Sequence, residues 1–314
     1  MVLIISSDYD MSTGQVVNWI NAQGKRIILV TDEVELIIHK LIISNIQNSI
    51  ISINGENIRL GEISSIWFRK GGIKLKFHEE CYRTIEPKMF QHITDEWKTV
   101  ETLILNYFST LNRIGDNNLS EANKLLMLQK AIDVGLEIPA SYVLSDKGEL
   151  LALFEKHTSL IIKPLSNLFG YLSEDKFLIH YTTPLFKSDC EQFPEKFFPI
   201  LIQEQLDRLF EARITAVNGR LFPTAILPYQ YGVSDIRKLS KDDKRYLPLK
   251  LPLDIADRIT AFMKSISCTY GCIDMIVTHD YKYYFLEINP QGQYGAFAYY
   301  SGYNIDKLIA KSLI

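Results

Sequence analysis

Gly271-Cys-Ile-Asp-Met-Ile-Val-Thr-His-Asp-Tyr-Lys-Tyr-Tyr-Phe-Leu-Glu-Ile-Asn-Pro290 is two apolar runs joined by a short polar turn. That pattern predicts a β-hairpin, with Asp274 on the first strand and Glu287 and Asn289 on the second. Glu287 and Asn289 are two positions apart, so a strand puts both on one face. An antiparallel partner can bring Asp274 opposite them. Three oxygen side chains converging in an apolar hairpin are costly unless a cation compensates them. Hard oxygen ligands with open positions suit Mg²⁺, which completes its shell from phosphates. The competing reading is a buried Asp bonded to its own loop, plus two edge residues. For all three residues together, the metal is the better account.

Working outward, Lys163 directly follows the apolar run 160–162 and precedes Pro164, which suggests a phosphate contact at the strand's end. Lys124, in the first turns of a helix, could reach the same phosphates; alone it reads as an ordinary exposed lysine. The run 201–206 (Leu-Ile-Gln-Glu-Gln-Leu) turns polar at its end, where Gln203, Glu204 and Leu206 could present backbone groups to an adenine edge. Taken alone it is an ordinary strand end. Glu211-Ala-Arg213 and Asp235-Ile-Arg237 are acidic-x-Arg pairs. Alternation puts each pair on one strand face, where the acid can orient the guanidinium toward a phosphate or carboxylate. Surface ion pairs are the plainer alternative for each.

The rest of the chain reads as alternating α and β elements. Residues 2–6 predict a buried strand, 13–22 an amphipathic helix and 26–30 a second strand, an α/β opening with parallel pairing. Residues 50–53 and 57–60 flank Asn54-Gly55, a hairpin signal. Strand 65–68 precedes a long helix over 87–111. Ser120 is expected to cap the next helix, which stops at Gly135. Strands are expected over 141–144 and 160–163, with a helix between them after Asp146. Beyond 199 the pattern turns strand-rich, with strands at 200–205, 212–217 and 221–227, a turn at Asn218-Gly219, a helix over 253–267 and a terminal helix after Asn304. Three units result: an α/β unit over 1–112, a central unit over 113–198 and an antiparallel-sheet unit over 199–314. No feature stands out in 173–196.

The composition excludes more than it assigns. Of 314 residues, 47% are hydrophobic and 23% charged, as in an ordinary globular protein. A net charge of -3 and no basic stripe give no electrostatic case for nucleic acid or an anionic membrane. No uncharged apolar run approaches the roughly 18–20 residues of a membrane span, and the start lacks a signal peptide's basic residues. Four scattered cysteines fit a reduced, cytoplasmic protein. Cys268 and Cys272 have no second pair nearby to complete a zinc site.

The order Lys124, Ile162-Lys163-Pro164, Gln203-Glu204, Glu211-x-Arg213, then Asp274 and Glu287-Ile-Asn-Pro290, resembles the ATP-grasp superfamily in its RimK-like branch. The start of the chain with Val17-Asn-Trp-Ile20, the strand Ile66-Trp-Phe-Arg-Lys70, the stretch Asn123-Lys-Leu-Leu-Met-Leu-Gln-Lys-Ala131 with Gly135-Leu-Glu-Ile-Pro139, and the ending 287–293 narrow the likeness. They resemble the peptide macrocyclases that make microviridins and other graspetides, with a style that suggests their grasp-with-spasm subgroup. The resemblance implies an N-terminal α/β domain, a central lid and a C-terminal domain, with ATP and Mg²⁺ between the last two.

It also implies the chemistry. An Asp or Glu side chain of a ribosomal precursor peptide is phosphorylated by ATP, and a Ser/Thr hydroxyl or Lys amine of the same peptide then closes an ester or amide. By resemblance, Lys124 and Lys163 match the phosphate lysines, and Gln203, Glu204 and Leu206 the adenine hinge. Glu211 matches an acid near the ribose, Arg213 an arginine at the reacting phosphate, and Asp235 with Arg237 the element handling the acceptor carboxylate. Asp274, Glu287 and Asn289 match the metal ligands. The central region would receive the precursor's leader, and a homodimer is common in the family. The loop 165–171, with one glycine, departs from the glycine-richer lids of many relatives. Two other functions fit the same order of residues: a ligase adding a free amino acid to a protein or small acid, and a non-catalytic peptide-binding homologue.

Overall fold

The computed structural model describes residues 1–31, 36–71, 85–116, 122–166, 182–229, 240 and 243–314, with backbone alone over 170–173 and 176–179. The first unit opens with β1 (Val2–Ile5), α1 (Met11–Asn21) and β2 (Ile27–Val30). Asp10 caps α1, its carboxylate accepting from Thr13 N. A three-stranded antiparallel layer follows, β3 (Leu36–Lys40), β4 (Ile50–Ile53) and β5 (Glu56–Arg59). Asn54 and Gly55 close its second hairpin with φ of 51° and 79°, the two left-handed residues such a tight turn needs. With β6 (Ser65–Phe68), α2 (Pro87–Ser109) and β7 (Asn112–Ile114), the main sheet runs β2-β1-β6-β7, all parallel. All four residues of β1 are buried, because Leu3 and Ile5 pack toward β4, β5 and α2 while Val2 and Ile4 pack toward α1.

The central unit holds α3 (Lys124–Asp133), β8 (Ser141–Asp146), α4 (Lys147–Leu153), β9 (Leu160–Lys163), β10 (Gly170–Ser173), β11 (Lys176–Ile179), β12 (Thr183–Leu185), α5 (Lys187–Cys190) and β13 (Lys196–Glu204). Its sheet is antiparallel, in the order β12-β9-β13-β8, over a core that includes Leu150, Leu160, Leu185 and Ile202. The cap of α3 is Asn123, whose side chain accepts from Leu126 N, so the helix starts later than a Ser120 cap would put it. Ser120 itself lies outside the described residues. The featureless stretch 173–196 contains β11, β12 and α5, elements too short to leave a periodic signature.

The last unit is a five-stranded antiparallel sheet, β14 (Arg208–Val217), β15 (Arg220–Pro228), β16 (Lys244–Pro248), β17 (Tyr270–Thr278) and β18 (Tyr283–Asn289), in the order β16-β15-β14-β17-β18. Between β16 and β17 lies α6 (Leu253–Ser265), and α7 (Gly295–Ser301) and α8 (Ile305–Leu313) end the chain. Helices α3 and α6 cover one sheet face, burying Ile214, Ile273, Met275 and Phe285. The terminal helix α8 returns to the first unit. Its Ile305 and Ile309 share a core with Val2, Ile4, Val16 and Tyr270, and Ser65 Oγ donates to Leu313 O at 2.5 Å. The first and last units therefore share one apolar core.

Both unit breaks expected at 112/113 and 198/199 fall inside strands, the first in β7 and the second in β13. The strands bind these segments to the preceding sheet, so the changes of sheet come after residues 114 and 204. Among the described residues, no helix is long and apolar enough to cross a membrane.

Candidate active site

Arg213 on β14, Asp274 on β17 and Glu287 on β18 stand side by side in direct register across three adjacent strands. Asn289 follows Glu287 by two residues, paired with Cys272. A register slip between Asp274 and Met275 makes this arrangement possible. It leaves Leu286 as the extra residue, so Phe285 turns into the core while Glu287 turns to the opposite face with Asp274. The register thus brings Asp274, Glu287 and Asn289 to neighbouring positions on two adjacent strands.

Arg213 Nη1 donates to both Asp274 oxygens, at 2.9 and 2.7 Å. Its Nη2 donates to Gln293 O at 3.1 Å, and the guanidinium lies 5.1 Å from the Phe297 ring centroid. Burial works against the arginine's charge, but the Asp274 carboxylate outweighs it and raises its pKa. Arg213 Nε is buried without a hydrogen-bond partner among the described residues. The acid that orients Arg213 is therefore Asp274 from the next strand. Glu211, expected in that role, accepts from Arg208 at 2.5 Å.

Lys124 spans two units. Its Nζ donates to Pro164 O at 3.1 Å and lies 3.6 Å from Glu287 Oε2. Pro164 immediately follows Lys163, the last residue of β9. Lys124, Leu165, Ser166, Glu287 and Ile288 line a cleft between the central and last sheets. Sequence spacing alone made Lys124 look like an ordinary surface lysine; its position across from Glu287 makes it part of the cleft.

Gln203 on β13 is buried, its Nε2 donating to Ser141 Oγ at 2.8 Å. Its Oε1 is buried and has no partner among the described residues. Glu204 N and Gln205 N are already committed to Ala140 O and Ser159 O, so the expected backbone contacts to a base cannot come from these two donors. Asp235 and Arg237 lie outside the described residues.

Two carboxylates and an amide fit a hard divalent cation that is completed by phosphate oxygens. Among the described residues, no three His, Cys, Asp or Glu side chains converge. Cys268 donates to Tyr270 O at 2.9 Å, and burial pushes its thiol up to about 12, which makes it a structural thiol.

Sequence reasoning missed a second charged cluster beside this row. Arg69, one residue past β6, is wholly buried and ion-paired with the equally buried Asp10 at 3.0 Å. Burial works against the Asp10 carboxylate, but Ser12, Arg69, Gln293 and Thr13 overcome it and hold its pKa at about 2. The sequence signals were an arginine directly following an apolar strand and its place in the Ile66-Trp-Phe-Arg-Lys70 segment of the family likeness, neither of which points to Asp10 or to the 291–293 loop.

No protein-family model and no curated protein sequence matches the chain. Solved structures do match over the full length. The macrocyclase MdnC bound with precursor peptide MdnA from Microcystis aeruginosa has TM-score 0.79 at 25% identity, covering 100% of this chain and 99% of that one. This chain has the ATP-grasp fold of the peptide macrocyclases. A Chryseobacterium gregarium ATP-grasp ligase associated with ribosomally made, modified peptides, in complex with ADP and a leader and core peptide, has TM-score 0.83 at 21% identity, covering 99% and 96%. The ATP-grasp ligase PsnB complexed with minimal precursor, Mg and ADP has TM-score 0.75 at 16% identity, covering 99% and 96%. The ATP-grasp likeness is the one that the residue order carried.

Proposed function

We propose that this ATP-grasp protein is an ATP- and Mg²⁺-dependent macrocyclase acting on a ribosomally made precursor peptide. The observation that carries this reading is the row Arg213–Asp274–Glu287 facing Lys124 across the cleft. It is a set of paired cations and anions suited to a phosphate chain and a metal. The full-length likeness to MdnC, whose structure holds a precursor peptide, supports the substrate class.

Asp274, Glu287 and Asn289 would hold Mg²⁺, which supplies charge neutralisation along the phosphates. Lys124 and Lys163 bind the phosphate oxygens, and Gln203 Oε1 accepts from the adenine amino group. Glu204 and Leu206 flank that base, and Glu211 stands toward the ribose. A peptide carboxylate oxygen attacks the γ-phosphorus, and the bond from that phosphorus to the ADP oxygen breaks. Arg213 stabilises the charge that develops on the transferred phosphoryl group. Asp235 and Arg237 hold the carboxylate. A Ser/Thr hydroxyl or Lys amine of the same peptide then attacks the acyl carbon, its proton is lost, and inorganic phosphate leaves.

The test uses the full chain, MgATP and a Ser/Thr- and Asp/Glu-containing peptide encoded by a short reading frame beside the gene. Mass spectrometry should record successive losses of one water mass, each matched by one ADP. A gain in peptide or protein mass in the presence of free amino acids would identify an amino-acid-adding ligase instead. Unchanged mass despite bound peptide, with no ADP formed, would identify a binding module.

A further inference from the structure

We propose that Arg69 is a positioning residue for the metal and phosphate site, acting through the loop that follows Asn289; this rests on the metal reading above. Arg69 comes from the first unit, yet its hydrogen bonds reach the last. Nη1 donates to Gln291 O at 2.9 Å and Gly292 O at 3.0 Å, and Nη2 donates to Gln293 Oε1 at 2.7 Å. Nε donates to Ser12 Oγ at 3.2 Å, and Asp10 balances the charge. Tyr270 and Tyr294 flank the guanidinium, with ring centroids at 5.8 and 5.6 Å.

The loop held this way touches two side chains of the site. Gln291 N donates to Asn289 Oδ1 at 2.9 Å, which sets the amide's orientation. Gln293 O accepts from Arg213 Nη2 at 3.1 Å. Gln293 Nε2 also donates to Asp10 Oδ2 at 3.1 Å, and Tyr270 OH donates to Gly292 O at 2.5 Å. One buried fork therefore fixes a proposed metal ligand and the arginine beside it. A lysine could neutralise Asp10 but could not reach both carbonyls and Gln293 in this planar arrangement.

The test measures ADP binding by calorimetry at a series of Mg²⁺ concentrations for wild type, Arg69→Lys and Gln293→Ala. Loss of an outer partner that orients a ligand typically costs 10- to 100-fold in metal affinity. Both variants should therefore raise the half-effective Mg²⁺ concentration about 10-fold or more, with ADP affinity in the absence of Mg²⁺ within about twofold of wild type. A wild-type Mg²⁺ curve in either folded variant overturns the proposal. So does a loss of ADP affinity that is the same at every Mg²⁺ concentration, the mark of a purely structural brace. If Arg69→Lys gives no cooperative melt, Gln293→Ala decides, because it removes the Nη2 arm of the fork and the tie to Asp10 from the loop while leaving the Arg69–Asp10 pair in place. A wild type with no Mg²⁺ dependence overturns the metal reading itself, and this inference with it.

Discussion

Arg213 and Asp274 face each other in direct register on neighbouring strands, with Arg213 Nη1 within 2.7 and 2.9 Å of the two carboxylate oxygens. The side chains are 13% and 25% exposed, so the pair is largely shielded from water. Asp274→Ala strips a buried guanidinium of its partner and removes a proposed metal ligand. We expect a stability loss of about 2–3 kcal/mol by chemical denaturation. Turnover of the precursor should fall by at least about 100-fold, well beyond what the fraction unfolded explains.

Lys124→Met should behave differently. The residue is at a cleft wall, and its ion pair with Glu287 is long at 3.6 Å, so its share of stability is small, under about 1 kcal/mol. Nucleotide affinity carries the loss. Calorimetric ADP binding in Mg²⁺ should weaken about 10-fold, with the thermal midpoint moved by only a few degrees.

Gln203 predicts base selectivity. Its Nε2 is committed to Ser141 Oγ, leaving Oε1 as an acceptor. An acceptor there suits the amino group of adenine and opposes the carbonyl of guanine. Wild type should prefer ATP to GTP by about 10-fold or more in binding, and Gln203→Leu should lose most of that preference. An unaltered ATP-to-GTP ratio in the variant would remove Gln203 from the base site.

Gly292→Ala tests how tightly the loop packs. A Cβ there would lie 2.5 Å from Cys272 Cβ and 3.0 Å from Arg213 Nη2. Backbone or strand must shift, at a cost of about 1–3 kcal/mol, and Arg213 shifts with it. Denaturation midpoints and precursor turnover should both fall. Gly302→Ala provides a contrast, since its Cβ meets nothing within 4 Å and only its positive φ of 72° is strained.

The pH dependence follows from Asp10. Its carboxyl is held at about 2 in the folded chain against an ordinary 3.8. A depressed folded pKa gives stability that is fully present above the ordinary value and lost as pH falls toward the folded one. The window is therefore about pH 4 down to 2, and the contribution is about 2 kcal/mol. Asp306 works in the opposite sense, since burial raises its carboxyl despite the Tyr294 hydrogen bond. Comparing acid unfolding of wild type and Asp10→Asn isolates the Asp10 share: the variant should be less stable at pH 6, with the gap closing by pH 2.

What the sequence revealed was what depends on nearby residues. The Asp274, Glu287, Asn289 row was readable because two adjacent strands and a period of two define it, and the slip at Leu286 precedes the residues that matter. The Asn54-Gly55 and Asn218-Gly219 turns were readable because their positive φ values demand particular residues. The Arg213–Asp274 pairing was not, because it depends on the register of β14 against β17 across 61 positions. Arg69 was hidden for the same reason, its loop partners lying more than 200 residues away. The nearest acid in sequence was a poor guide: Glu211 pairs with Arg208.

Among the described residues, the cleft holds two ion pairs before any ligand arrives, Lys124 with Glu287 and Arg213 with Asp274. If metal and phosphates bind there as proposed, binding is an exchange of partners. A cation that takes the two carboxylates sets the two basic side chains loose for phosphate oxygens, and a phosphate chain that takes the basic groups sets the carboxylates loose for a cation. Each ligand thus pre-empties the seat of the other. By thermodynamic reciprocity, the factor by which metal tightens nucleotide must equal the factor by which nucleotide tightens metal. On the proposed reading, the resting ion pairs make this cleft a thermodynamic gate that admits metal and nucleotide together and discourages either alone.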